Sequence, residues 1–316
     1  MTRAPREGLD ALGATLVALA AMLFATKGIF AKQLYALGVG VEALVTIRAT
    51  LALPLFWIFA LRRESLAAIC ATPWRAIAVA GGVGALCYYV GALLDFFALT
   101  LIDASIERVL IFSYPAMVVL FVSVRDRQAP GLRVLAAVGL TYVGIFFTMG
   151  GFDLAELRAN LLGALLVIGS ALTYAIYFLV SERYTREIGS ARFTLFAMTA
   201  APLCLLIHFF ASEDAVTELT AIRPAAWLLL AALSVLCMFL PALFQAEGVR
   251  RIGAQRGAVL STVGPPTTAL LAWALLGERL SGWQWLGVVM IVVGILVLDL
   301  SRVKSSVPPL GKEPAP

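Results

Sequence analysis

Apolar stretches of about 20 residues, the length a helix needs to cross a bilayer, recur along the whole chain with only short charged or Pro/Gly-bearing breaks between them. Inside lipid no water is available to backbone N–H and C=O groups, so such stretches must fold as packed helices. Ten runs qualify: Leu12–Leu34, Val41–Leu61, Trp74–Leu99, Ser105–Val124, Leu132–Met149, Leu161–Arg183, Ser190–Ala211, Ala225–Gly248, Ala254–Leu276 and Trp283–Leu300. The predicted fold class is therefore an all-α membrane protein with ten transmembrane helices. A composition that is 61% hydrophobic and 14% charged agrees, and ten spans within 316 residues leave no room for an extramembrane catalytic domain.

The net charge of +5 does not point to nucleic acid, because the 24 Lys and Arg are shared among many short loops and form no continuous basic face. They carry a topology signal instead. With the N-terminus inside and the gaps alternating, the inner set is Arg3, Arg6, Arg62, Arg63, Arg75, Arg125, Arg127, Arg133, Arg183, Arg186, Arg192, Arg250, Arg251, Arg256, Arg302, Lys304 and Lys312. Only Lys32, Arg108, Arg158, Arg223 and Arg279 fall outside, and Lys27 and Arg48 lie within spans. Both termini are thus expected in the cytoplasm of a plasma (inner) membrane protein, with residues 303–316 a disordered tail. The Ala-rich start resembles a signal peptide, but its apolar run continues to about Leu34 and is expected to be a span. The four cysteines form no C-x-x-C pair.

Shifting the chain by 150 residues superposes its halves without a gap from about Ala76 to the last span. Leu86-Cys87 falls on Leu236-Cys237, Val109-Leu110 on Val259-Leu260, Pro115 on Pro265, and Val143-Gly144-Ile145 on Val293-Gly294-Ile295. The proline and glycine coincidences weigh most, since Leu, Val and Ala recur by chance. Residues 1–155 and 156–302 are therefore expected to be two five-helix repeats. Five is an odd number, so the second enters the membrane from the opposite side, giving two inverted repeats with a substrate site where they meet.

The endings of the halves, Tyr114-Pro115 to Tyr142-Val143-Gly144 and Gly264-Pro265-Pro266 to Val293-Gly294-Ile295, resemble those of the drug/metabolite transporter superfamily, specifically its EamA-type exporters. The Leu276-Gly277-Glu278-Arg279-Leu280 turn is the closest local match, and its counterpart Arg125 to Gln128 departs from it. The resemblance implies a central cavity lined mainly by helices 1, 3, 4, 6, 8 and 9, with helices 5 and 10 peripheral. It leaves the substrate open among amino acids, sugars, phosphorylated metabolites and drugs.

Charge at membrane depth is costly, so ionisable residues within spans are candidate site residues. Asp95 is the strongest; at helical spacing it shares a face with Gly84, Tyr88 and Gly91, whose repeat counterparts are Ser234, Met238, Pro241 and Gln245. Asp95 could hold a coupling proton, a substrate ammonium or Lys27, and the residues leave these alternatives open. Arg48 is expected at a peripheral position near the end of helix 2. Tyr177, the counterpart of Lys27, shares a polar helix 6 face with Ser170, Tyr174 and Ser181. Tyr114 beside Pro115, and Thr267 and Thr268 after Pro265, sit where a membrane proline would free backbone carbonyls, so Pro115 and Pro265 are candidate gating positions. The candidate substrate or translocation residues are thus Asp95, Tyr88, Lys27, Tyr114, Tyr174, Tyr177, Met238 and Gln245. His208 and Glu247 read as interfacial, and Trp273 as core or cavity wall.

No H-E-x-x-H, G-x-S-x-G or Walker A motif occurs. No cofactor or metal is expected, and the partners are the lipid bilayer and a small-molecule substrate. The sequence thus predicts a secondary transporter exporting small metabolites such as amino acids, rather than a receptor, a scaffold or an intramembrane enzyme.

Overall fold

The computed structural model describes residues 11–127, 131–252, 260–261 and 263–302. The regular structure among those residues is helical, with no strand among them. The long segments are α1 (Ala11–Ala36), α2 (Val41–Arg63), α3 (Trp74–Leu101), α4 (Ala104–Ile111 continued by Tyr114–Asp126), α5 (Leu132–Thr148), α6 (Leu154–Ile188), α7 (Ser190–Phe210), α8 (224–252), α9 (Gly264–Leu276) and α10 (Gly282–Arg302). Among the described residues six are long and apolar enough to cross a membrane: α1, α2, α3, α6, α7 and the Pro224–Gln245 portion of α8. The predicted start of the ninth run, and the tail 303–316, lie outside the described residues.

Two of the predicted helices are broken. α1 tightens at Thr26, whose N–H bonds back to the Leu23 carbonyl three residues earlier, and resumes at Lys27. α4 breaks at Phe112-Ser113. Pro115 and Pro265 both occupy the second position of a helical piece, Tyr114–Asp126 and Gly264–Leu276. In a first turn the missing proline N–H would have had no partner anyway, so these prolines start helices rather than kink them. The Thr268 hydroxyl donates to Ala25 O at 3.0 Å, at the α1 break, and to Gly264 O of its own helix at 3.3 Å.

α3 and α8 each contain a π-helical turn, Leu86–Gly91 and Val235–Phe239. The two turns are related by the 150-residue shift and both carry the repeated Leu-Cys pair. A π-turn inserts an extra residue, and one residue is about 100° of helix rotation. The expected single face of Gly84, Tyr88, Gly91 and Asp95 is therefore split. Gly84 abuts the backbone of Ala197 on α7, and Gly91 abuts Thr173 on α6; a Cβ at either position would collide. These glycines are contact points between helices.

Packing follows the repeat. α1 lies along α8, as α3 lies along α6, and α5 pairs with α10 at one side of the bundle. Gly144 on α5 meets Gly287 and Ile291 on α10, while Gly294 on α10 meets Ala137 and Thr141 on α5. The 150-residue shift carries Gly144, Ala137 and Thr141 onto Gly294, Gly287 and Ile291, so the contact is reciprocal between the halves. The largest cluster of buried apolar side chains joins α1, α2, α3, α7 and α8 through Leu34, Leu44, Phe56, Phe96, Leu205 and Leu230.

Candidate functional site

The α1 break delivers Lys27 to the interior. Its Nζ donates to Asp95 Oδ2 on α3 and, at 3.0 Å, to Glu107 Oε1 on α4. Asp95 is 6% exposed and Glu107 1%, so this three-residue ion cluster is sealed inside the protein. An unpaired charge in such a place is costly. The break itself is held by Thr26, whose hydroxyl donates to Leu23 O at 2.7 Å and lies 3.1 Å from Cys237 Sγ in the π-turn of α8.

Two more cations approach the cluster. Arg48 on α2 is 6% exposed, and its guanidinium lies 4.5 Å from the ring of Phe96, which Lys27 also approaches at 5.5 Å. This overturns the peripheral position expected for Arg48: the residue sits on the inward face of α2, not on its lipid face. Arg108, counted in the sequence among the outer loop charges, is 9% exposed within the first piece of α4, with its guanidinium 5.1 Å from the ring of Phe112. A Cβ on Gly264 would come within 3.0 Å of Arg108 Nη2, so the absence of a side chain at the start of α9 makes room for this arginine.

Four predicted residues meet as an aromatic cluster beside these charges. The Tyr88 ring lies 5.2 Å from Tyr177 and 6.1 Å from Tyr174, and Tyr174 lies 5.9 Å from Tyr114. Tyr114 in turn stacks on Phe178 at 5.2 Å. Met238 is buried in the same apolar cluster as Phe96 and Cys237. Gln245 is half-buried and, among the described residues, no hydrogen bond ties it to the charges. α3 packs on α6 and α7, and α8 on α1 and α2.

At one end of the bundle, Glu278 of the Leu-Gly-Glu-Arg-Leu turn caps α4. It accepts from Ala104 N at 2.9 Å, Ser105 N at 3.1 Å and Ser105 Oγ at 2.9 Å, and Lys32 Nζ lies 3.4 Å away. The turn that carries the family resemblance therefore fixes the segment bearing Glu107 and Arg108. Asp103 beside it has its carboxyl pushed above the usual range, by burial first and then by the Glu278 carboxylate, against the pull of Lys32.

Sequence reading missed Glu107, although it fell within the predicted Ser105–Val124 span; the signal was an acid inside an apolar run. Trp273 is 60% exposed and faces outward, not into the core. His208 is tied to Tyr89 Oη through Nδ1 at 2.8 Å, and its Nε2 is 3.8 Å from Glu42. An apolar groove of about 540 Å³, lined by Tyr89, Val90, Leu93, Phe97, Leu162 and Leu166, opens between α3 and α6 and contains none of the predicted site residues.

The sequence matches the EamA-like transporter family twice, over residues 11–150 and 161–299, so each half matches separately. The chain belongs to that family. It is 33% identical over 282 residues to YcbK, an uncharacterized transporter of Bacillus subtilis, covering 88% of this chain and 89% of the relative. An uncharacterized transporter of Synechocystis is 25% identical, over 74% of this chain and 68% of its own length. A solved structure with 21% identity shares the fold at a TM-score of 0.57, covering 91% of this chain and 98% of the other. As an EamA-like chain this is a transporter-type membrane protein, and its buried ion cluster and aromatic wall sit among helices drawn from both family repeats.

Proposed function

We propose that this EamA-family chain is a secondary active transporter that exports small metabolites, amino acids among them, across the plasma membrane by alternating access. In this reading ten spans form two inverted five-helix repeats divided near residue 155, both termini lie in the cytoplasm, and a proton is the candidate coupling ion. Asp95, Lys27, Tyr88, Tyr114, Tyr174, Tyr177, Met238 and Gln245 line or shape the path, and the helix starts at Pro115 and Pro265 flex during gating.

One observation carries the reading: Lys27, Asp95 and Glu107, from three different helices, form an ion cluster in the interior of the bundle. Stability alone does not call for such a cluster, since well-packed apolar residues serve as well or better. Intramembrane charges that face a bundle interior characteristically mark a solute or ion path. The reciprocal glycine contact of α5 and α10 supports a two-fold relation between the halves.

The test is flux in vesicles reconstituted with the purified chain, using labelled amino acids, sugars and organic acids with and without an imposed pH gradient. At least one class should cross faster than in protein-free vesicles, and faster with the gradient. No flux of any class in either condition overturns the reading.

A further inference from the structure

The ion cluster does not balance. Lys27, Arg48 and Arg108 bring three positive charges, and Asp95 and Glu107 bring two negative ones. Lys27 takes both carboxylates. Neither arginine has an ion-pair partner among the described residues, and Nε of each is buried without any hydrogen-bond partner. Ring faces of Phe96, Phe24 and Phe112 attract the guanidiniums, but that attraction is modest and leaves the Nε–H of each unsatisfied.

The two arginines converge. Arg48 and Lys27 share the ring of Phe96, and Lys27 bonds Glu107, the residue before Arg108. Arg108 packs on Phe112, two residues before Tyr114, and Tyr114 lies 5.9 Å from Tyr174 in the tyrosine cluster.

We propose that the transported solute is an organic acid of net charge −1, its carboxylate held by Arg48 and Arg108 and its apolar body resting on Tyr88, Tyr114 and Tyr174. This inference rests on the transport reading above and narrows it. A guanidinium presents a planar fork that matches a carboxylate with two parallel hydrogen bonds. A single negative charge brings the buried cluster to neutrality, which a zwitterion, an amine or a sugar would not do. Asp95 Oδ1, the remaining unpartnered carboxylate oxygen, accepts a hydrogen bond from a hydroxyl or amino group on the solute, so an acidic amino acid also meets the description.

The test compares ligands of one shape on the purified full-length chain in detergent, by shift of thermal unfolding and by tryptophan fluorescence. The probes are 3-phenylpropanoate, its amide, 3-phenylpropylamine, phenylalanine and phenylphosphonate. The carboxylate should bind at least about tenfold tighter than the amide, the amine and phenylalanine. Arg48→Lys and Arg108→Lys keep the charge but lose the fork, and each should weaken carboxylate binding by about tenfold or more. The wild-type series stands even if a variant does not fold. Equal or tighter binding of phenylalanine or the amide overturns the inference, and so does binding of phenylphosphonate alone. Vesicle flux separates the two readings: transport of sugars or neutral amino acids without carboxylate binding sinks this inference and spares the transporter, while carboxylate binding without flux of any solute does the reverse.

Discussion

Gly144 and Gly287 meet backbone to backbone where α5 crosses α10: a Cβ on Gly144 would lie 3.0 Å from the Gly287 carbonyl oxygen, and one on Gly287 only 2.6 Å from that of Gly144. Small residues allow this approach, which drives helix association where lipid offers no hydrophobic contrast. Thr141 and Thr148 return their hydroxyls to their own helix, at 2.9 Å each, so the seam stays smooth.

Forcing a side chain into that seam should cost about 1–3 kcal/mol by overpacking. Gly287→Val is expected to lower the thermal midpoint of the purified chain in detergent by several degrees. Gly282→Ala, with nothing within 4 Å, should leave it unchanged. Equal midpoints for the two variants would contradict the described contact.

Removing the acid that caps α4 should be felt in the segment carrying Glu107 and Arg108. Glu278→Ala deletes three accepted hydrogen bonds, a loss of about 1–2 kcal/mol by comparison with helix-capping substitutions. Thermal unfolding and solute flux should both decline, with Glu278→Gln intermediate because one amide oxygen still accepts.

Asp103 gives a pH dependence of known sign. Its folded-state carboxyl is raised above the unfolded value, so the folded chain holds its proton longer and this residue's contribution to stability falls as pH rises through that window. Asp103→Asn removes the contribution. Across pH 4 to 7 the variant should therefore gain stability relative to wild type as pH increases, measured as the difference in thermal midpoint. A constant difference would refute the assignment.

Lys27 and Asp95 are not equivalent deletions. Asp95→Asn leaves Lys27 paired with Glu107, whereas Lys27→Met strands two buried carboxylates, and breaking a buried pair costs about 3–5 kcal/mol. Lys27→Met should reduce folded yield more than Asp95→Asn. The double variant should recover only in part, and adding Glu107→Gln should recover more, as read by monodisperse yield in size-exclusion chromatography. In flux assays Asp95→Asn should lower exchange and gradient-driven transport together; loss confined to the driven mode would instead identify Asp95 as the proton carrier.

The bundle was legible because apolar run length and repeat register are properties of the sequence itself. Leu86-Cys87 and Leu236-Cys237 marked equivalent places, and Lys27 with Asp95 stood out as charges in apolar runs. The π-turns were not legible, since no residue pattern distinguishes Leu86–Gly91 from an α-helical turn; without them the Gly84 to Asp95 stripe reads as a single face. Arg48 and Arg108 were misplaced for a related reason. Nearness to the end of an apolar run suggests an interface, and only tertiary packing shows which side of the helix faces the protein. The prolines misled because a proline in a run can kink a helix or begin one, and that depends on the break before it.

The unbroken α6 opposite the broken α1 belongs to a wider inequality between the halves. Under the 150-residue shift Lys27, Arg48, Asp95, Glu107 and Arg108 fall on Tyr177, Met198, Gln245, Gly257 and Ala258, so every charge of the cluster belongs to the first repeat and every counterpart is neutral. In an inverted-repeat transporter the inward-open and outward-open forms arise as the halves trade conformations. Identical halves would make those forms equivalent by a two-fold rotation and equal in energy. Here one half alone carries the charged cluster, so under the proposed alternating-access cycle the two forms would differ in free energy before any solute binds.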